Sequence, residues 1–245
     1  MQFFNSLKLK SRLYVQEFKT AGMSTFMRSR VINSTDHIRY VFTHLQSKNK
    51  YFIVRGKKYP YFIHPYNWTW KNERTVEISY FLALLEKYQH TSLLEIGNVL
   101  SHYTPIKHDV LDKYEKAPGV INKDIVGFTS RKKYDVIFSI STLEHIGWDE
   151  SPQVPMKIVP AIKNIVSLLK PDGVFIFSLP LGYNANIDSL LAQHRLPYDS
   201  CFYLKRISRS NLWEVATYKS VKNMSYNAPY PNCNALLIAT ITKSS

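Results

Sequence analysis

TSLLEIGNVLSHY, residues 91–103, decides how the rest of the chain is read. Leu93, Leu94 and Ile96 form a short apolar run that ends at Glu95-Ile96-Gly97. A buried strand that closes on an acid and a glycine makes a ligand-binding edge. Glycine lets backbone and ligand approach closely, and a helix N-terminus that follows favours negative groups. Taken alone, the run also fits an ordinary strand end. The downstream sequence separates the two readings. YDVIFSI at 134–140 has the continuous apolar character of a parallel strand covered on both faces, and STLEHIG follows it. Pro171-Asp172-Gly173 then stops a helix over 160–169, whose Ile162, Ile165, Val166 and Leu169 face inward, and residues 173–179 supply a further strand. Strands alternating with helices predict a three-layer α/β domain.

Working outward, Asn72 caps a predicted helix over 73–88, with Val76, Tyr80 and Leu84 on its apolar face. Val110-Leu111 before Asp112 reads as the end of a second strand, and Pro105 limits any helix ahead of it. Residues 121–126 form the third strand region or its terminal loop. Residues 210–218 and 235–241 are late strands, 203–206 fits an edge strand with its charges in water, and 223–234 is a loop. On the N-terminal side, residues 51–54 and 59–64 flank Arg55-Gly56-Lys57-Lys58 and predict a hairpin. The aromatic cluster YNWTW at 66–70 either packs an extension onto the domain or stacks on sugars or bases. Phe3, Phe4, Leu7, Leu13, Phe18 and Phe26 line a loose helix face in residues 1–30. The organisation read from this is a basic, aromatic-rich extension over 1–72 and a domain over 73–245.

LLEIG at 93–97, YDVIFSISTLEHI at 134–146 and LLKPDGVFIFSLP at 168–180 together resemble the class I S-adenosylmethionine-dependent methyltransferases, a Rossmann-like family. The resemblance covers roughly 73–241. It implies a seven-stranded, mostly parallel sheet with helices on both faces and one antiparallel strand near the C-terminus. The family's loop pattern is E/D-x-G-x-G-x-G; Gly97 matches the first glycine, and Val99 and Ser101 stand at the other two. The implied cofactor is S-adenosylmethionine. By the resemblance, Glu95, Gly97 and Asn98 lie at its methionine part, Asp112 (or Asp109, if the strand ends earlier) at its ribose hydroxyls, and Asp124 near its adenine amino group. A carboxylate accepts from both cis hydroxyls, and a glycine removes a side chain that would obstruct approach.

The segment after the strand at 134–140 is the candidate active site. Ser139, Ser141 and Thr142 offer small polar contacts. Of Glu144 and His145, one faces the cleft and the other supports it, since adjacent helical residues do not share a face. His145 either accepts a proton, its range suiting neutral pH, or orders the loop. In PLGYN at 180–184, Tyr183 and Asn184 orient a hydroxyl or amide or line a sugar pocket. Arg195 either binds an anionic acceptor or is a plain surface residue. No metal motif is present: Cys201 and Cys233 are isolated, and no regular His spacing accompanies them.

The charge is uneven. Residues 1–90 hold 15 Lys/Arg against 5 Asp/Glu, a net +10 of the chain's +14. A surface of that sign attracts polyanions, or a protein partner, at the N-terminal region. No run reaches the ~18 apolar residues of a membrane span, and the first residues lack the apolar core of a secretory signal. A cytoplasmic enzyme is expected. Three functions stay open: methyl transfer to a small-molecule or carbohydrate-linked acceptor, more readily at oxygen; methylation of nucleic acid; and a methyltransferase fold kept for binding or assembly.

Overall fold

The computed structural model describes residues 40–45 and 49–244. Two compact units divide the chain, 1–46 and 47–245. In the first, residues 40–45 are helical. The apolar face predicted in residues 1–30, and most of the basic N-terminal region, lie outside the described residues. The second unit holds everything that follows, the hairpin included. Among the described residues, no helix is long and apolar enough to cross a membrane.

The hairpin pairs β1 (Tyr51–Val54) with β2 (Lys57–Pro60). Its second strand is displaced from the predicted 59–64, because Arg55 and Gly56 alone take the positive φ angles of a two-residue turn. Phe52, Val54 and Tyr59 point inward, while Tyr51, Ile53 and Lys58 alternate outward. Helix α1 (Arg74–Lys87) follows, close to the predicted span. Asn72 acts at its start: Asn72 Oδ1 accepts from the Arg74 N–H at 3.1 Å.

The main sheet has eight strands in the order β5-β4-β3-β6-β7-β10-β8-β9. They are β3 (Leu93–Ile96), β4 (Asp109–Leu111), β5 (Val120–Ile121), β6 (Tyr134–Ile140), β7 (Leu169–Pro180), β8 (Ser200–Arg206), β9 (Trp213–Ala216) and β10 (Ala235–Thr242). β3 to β7 run parallel, and β10 enters antiparallel between β7 and β8. The fold class predicted from the sequence is therefore present, with one strand more than the seven expected: β9, which pairs antiparallel with β8 at the sheet edge. Segment 203–206 is consequently not an edge. It belongs to β8 and is paired on both sides. Its Arg206 is buried, donating to the carbonyls of Pro231 at 2.7 Å and Ser208 at 3.1 Å.

β7 starts four residues before the predicted strand. Leu169 pairs with Tyr134, and the register shifts between Tyr134 and Val136, so Pro171-Asp172-Gly173 forms an irregularity inside the strand. Asp172 takes φ 59°, and a Cβ at Gly173 would come within 2.9 Å of the Lys170 carbonyl. The third strand region shrinks to two residues. Asp124 instead caps a 3-10 turn, Ile125–Gly127, by accepting from the Val126 N–H.

Successive strand residues feed opposite faces. Leu94, Ile96, Ile137, Phe175, Phe177 and Leu237 pack beneath α2 (Ile158–Leu168), α3 (Ala185–Ala192) and α4 (Tyr218–Val221). Leu93, Val136, Phe138, Ile140, Ile176 and Leu236 pack beneath α1 and the hairpin. This alternation makes the three layers, and it leaves the carboxyl ends of β3, β4 and β6 as one open rim.

Candidate active site at the carboxyl edge of the sheet

The loop after β3 turns at Gly97, with φ +86°. A Cβ there would sit 2.2 Å from Thr142 Oγ1, so the neighbouring loop after β6, as well as the backbone angle, demands glycine. Glu95 is fully buried and holds this turn from below. Its Oε1 accepts from the N–H groups of Val99 and Leu100, both at 2.9 Å, and Oε2 lies 2.8 Å from His108 Nε2. Glu95 thus shapes this loop and does not line the cavity described below. Downstream, where the family pattern carries its other glycines, side chains knit the loop together. Ser101 Oγ donates to Asn98 Oδ1, Asn98 Nδ2 donates to Glu115 Oε1 at 2.6 Å, and His102 Nε2 stands 3.1 Å from the same carboxylate oxygen.

Asp112 follows β4 directly. Its Oδ2 accepts from Asn98 N–H at 3.0 Å, while Oδ1 accepts from the N–H groups of Tyr114 and Glu115. Asp109 is turned away to Lys132 and Tyr134. Asp124 is bound by Lys157 Nζ at 2.7 Å and Lys113 Nζ at 3.0 Å, and both lysines also reach Glu150. Burial works against its charge, but Lys157, the Val126 N–H and Lys113 outweigh burial and bring its pKa down to about 2.

Gly97, Asn98, Val99, Asp112, Glu115, Asp124, Ser141, Thr142 and His145 line one cavity of about 320 Å³, with Arg74, Lys113 and Glu150 at its walls. Of the residues singled out from the sequence, Gly97, Asn98, Asp112, Asp124, Ser141, Thr142 and His145 come together here. Glu95, Ser139, Glu144 and Tyr183 do not line it. Ser139 is buried within β6, its hydroxyl without a hydrogen-bond partner.

At the β6 end, Ser141 Oγ donates to Glu77 Oε1 at 2.5 Å, and Ser178 Oγ donates to the same oxygen at 2.6 Å. Arg74 binds Glu77 Oε2 at 3.1 Å and donates to the Ile140 carbonyl at 3.0 Å, which ties the first turn of α1 to the rim. The 3-10 turn Leu143–His145 sends Glu144 into the core and His145 outward. Burial pushes the Glu144 carboxyl well above its ordinary range, and its Oε2 has no hydrogen-bond partner. His145 Nδ1 meets Asp149 Oδ2 at 2.5 Å, and Tyr183 OH donates to that same oxygen at 2.7 Å. Burial disfavours charge on Asp149, yet the bonds from His145 and Tyr183 prevail and hold its carboxyl below the ordinary value. The other ring nitrogen, Nε2, lies 3.6 Å from Glu144 Oε1.

Arg74, Lys113, Glu115, Asp149 and Glu150 were missed in the sequence. Asp149 had a readable signal, lying four residues after His145. Arg74 reaches the site through α1, Lys113 and Glu115 through the β4–β5 connection, and Glu150 through the connection after β6.

No family model matches the chain, and no curated protein matches it. Among solved structures, the chain is similar to N-methyltransferase NodS from Bradyrhizobium japonicum WM9, in complex with S-adenosyl-L-homocysteine, at 14% identity over 67% of this chain and 85% of that one, TM-score 0.41. It is also similar to a possible histamine N-methyltransferase from Thermotoga maritima, at 14% identity over 69% and 92%, TM-score 0.40. A third is an S-adenosylmethionine-dependent methyltransferase from Clostridium acetobutylicum ATCC 824, at 14% over 68% and 90%, TM-score 0.36. By its own sheet, parallel from β3 to β7 with β10 antiparallel near the C-terminus, the chain has the class I methyltransferase fold.

Proposed function

We propose that the chain binds S-adenosylmethionine in the cavity at the carboxyl edge and transfers its methyl group to a hydroxyl of a small-molecule or carbohydrate-linked acceptor. The observation that carries this reading is convergence. Seven residues expected at cofactor or acceptor come from separate stretches of the sequence and line a single cavity. Its 320 Å³ falls within the range of about 300–1,000 Å³ usual for ligand pockets. Val99, standing where the family has a glycine, borders the space without filling it.

In this reading Gly97 and Asn98 receive the methionine part, Asp112 and Glu115 the ribose, and the Asp124 end the adenine. When bound, S-adenosylmethionine supplies a methyl group activated by a sulfonium centre. Positioning is then most of the protein's task. His145 Nε2 takes the acceptor hydroxyl's proton, and Asp149 steadies the imidazolium that results. Tyr183 fixes the Asp149 carboxylate by donating to the same oxygen.

A nucleic-acid acceptor would draw support from the hairpin's basic residues at the same cleft, beside Arg74 and Lys113. Arg55 and Lys57 of the hairpin instead line a separate pocket with Tyr80 and Lys87 of α1. Calorimetry with S-adenosylhomocysteine tests the proposal. Micromolar binding is expected, about 8 kcal/mol; folded protein that shows no binding overturns it.

A further inference from the structure

The aromatic cluster at 66–70 does two different things. Trp70 is 8% exposed and packs inward, whereas Tyr66 and Trp68 remain 47% and 49% exposed. The turn that presents them is costly. Asn67 and Trp68 both take left-handed angles, φ 52° and 44°, which a bulky L-residue such as tryptophan rarely adopts.

Side chains from distant segments hold the turn in place. Thr69 Oγ1 donates to the Phe62 carbonyl at 2.8 Å and accepts from His64 N–H at 2.7 Å. Asn72 Nδ2 donates to the Asn67 carbonyl at 2.8 Å, and Asn211 Nδ2 donates to the Asn72 carbonyl at 2.7 Å. Arg206 and Asn232 both donate to the Lys71 carbonyl at 3.2 Å. Two large aromatic surfaces are thus kept rigid and in water.

Tyr66 also stands beside the proposed cofactor cavity. Tyr66 stacks on His102 with ring centroids 4.3 Å apart, His102 meets Glu115, and Glu115 lines the cavity. Lys71 Nζ lies 4.6 Å from the centre of the Trp68 ring. The patch therefore combines flat apolar surface with the Lys71 ammonium and the Tyr66 phenol at its margin. That matches a pyranose ring, whose C–H face is apolar and whose rim carries hydroxyls.

We propose that Tyr66 and Trp68 form a stacking platform for a sugar ring of the acceptor. The assignment rests on the methyl-transfer reading and narrows its acceptor to a glycan or glycoside. A nucleic acid on the same rings would bring phosphates towards the Glu115 carboxylate, one ring away across His102.

The test is fluorescently labelled wild-type, Trp68→Ala and Trp68→Phe protein on an array of pyranose-bearing glycans, with a short single-stranded RNA as the second probe. The wild type is expected to retain a subset of glycans. W68A should lose at least about tenfold in that binding, W68F should recover most of it, and all three should bind S-adenosylhomocysteine within about twofold of one another. A wild type that holds no glycan better than W68A overturns the platform. So does RNA binding that depends on Trp68 while glycan binding does not. Absence of S-adenosylhomocysteine binding in the wild type strikes the methyl-transfer reading instead, so the two failures are distinguishable.

Discussion

Gly97 was legible from its place after an apolar strand, but half of its reason was not. The expected obstruction was to a ligand; the atoms that exclude a side chain belong to Thr142, 45 positions away and brought in by β6. Gly97→Ala should weaken S-adenosylhomocysteine binding at least tenfold, a loss of about 1.4 kcal/mol or more. The added Thr142→Ala change should restore only part of it, because the φ of +86° remains unfavourable for alanine. Calorimetry on folded variants reads both. Glu95 shows the converse case: the acid was visible and its direction was not, since only the loop's path reveals that its carboxylate faces backbone N–H groups. For the proposed base, His145→Ala and Asp149→Asn should each leave S-adenosylhomocysteine affinity within about threefold, or about 0.7 kcal/mol. Single-turnover rates with a hydroxyl acceptor should fall by about 10²-fold or more. An affinity loss as large as the rate loss would assign them to the cofactor.

Among elements, the long parallel strands were the most readable. β6 matches its predicted span because seven mostly apolar residues have no alternative to burial between two layers. The ends of β7 and the interior of β8 were hidden for a shared reason: polar sequence, KPDG in one and Lys205-Arg206 in the other, sits inside hydrogen-bonded strand where backbone pairing outvotes side-chain character. The β4–β5 connection was hidden because charge pairs hold it. Lys113 and Lys157 tie Asp124 and Glu150 across four separate segments. The pH dependence follows in sign. The Asp124 carboxyl lies near pH 2 in the folded protein and at 3.8 when free of it. Its stabilising contribution is therefore complete above 3.8 and disappears as pH falls through about 2. In urea titrations, Asp124→Asn should be less stable than wild type at pH 6, with the gap closing between pH 4 and pH 2. A constant gap would show that its partners do not depend on its charge.

For the whole molecule, the three-layer arrangement was predictable because alternating faces of the sheet need covers of their own. The hairpin's Tyr and Phe residues were expected to cover apolar surface, and Phe52, Val54 and Tyr59 join the core beneath α1. The cavity draws on α1, on the loops after β3, β4 and β6, and on the 3-10 turn capped by Asp124. Binding there joins pieces that unfolding separates. S-adenosylhomocysteine at 100 times its dissociation constant should raise the unfolding free energy by about 2.7 kcal/mol, read as a shift in the urea midpoint at constant slope.

The carboxylate of Glu95 has a consequence on the timescale of amide exchange. One oxygen receives the N–H groups of Val99 and Leu100, and the other reaches His108 at the entrance to β4. The two amides lie outside any strand, where rapid deuteration is the ordinary behaviour of a loop. Sealed against a buried acid, they can exchange only when that acid is released, and its release also breaks the contact to His108. In apo protein their protection should equal that of the β3 core amides and collapse to loop-like rates in Glu95→Ala, which removes the acceptor. Fast exchange of both in the wild type would mean that the loop is assembled by its ligand; slow exchange means that it waits for the ligand already formed.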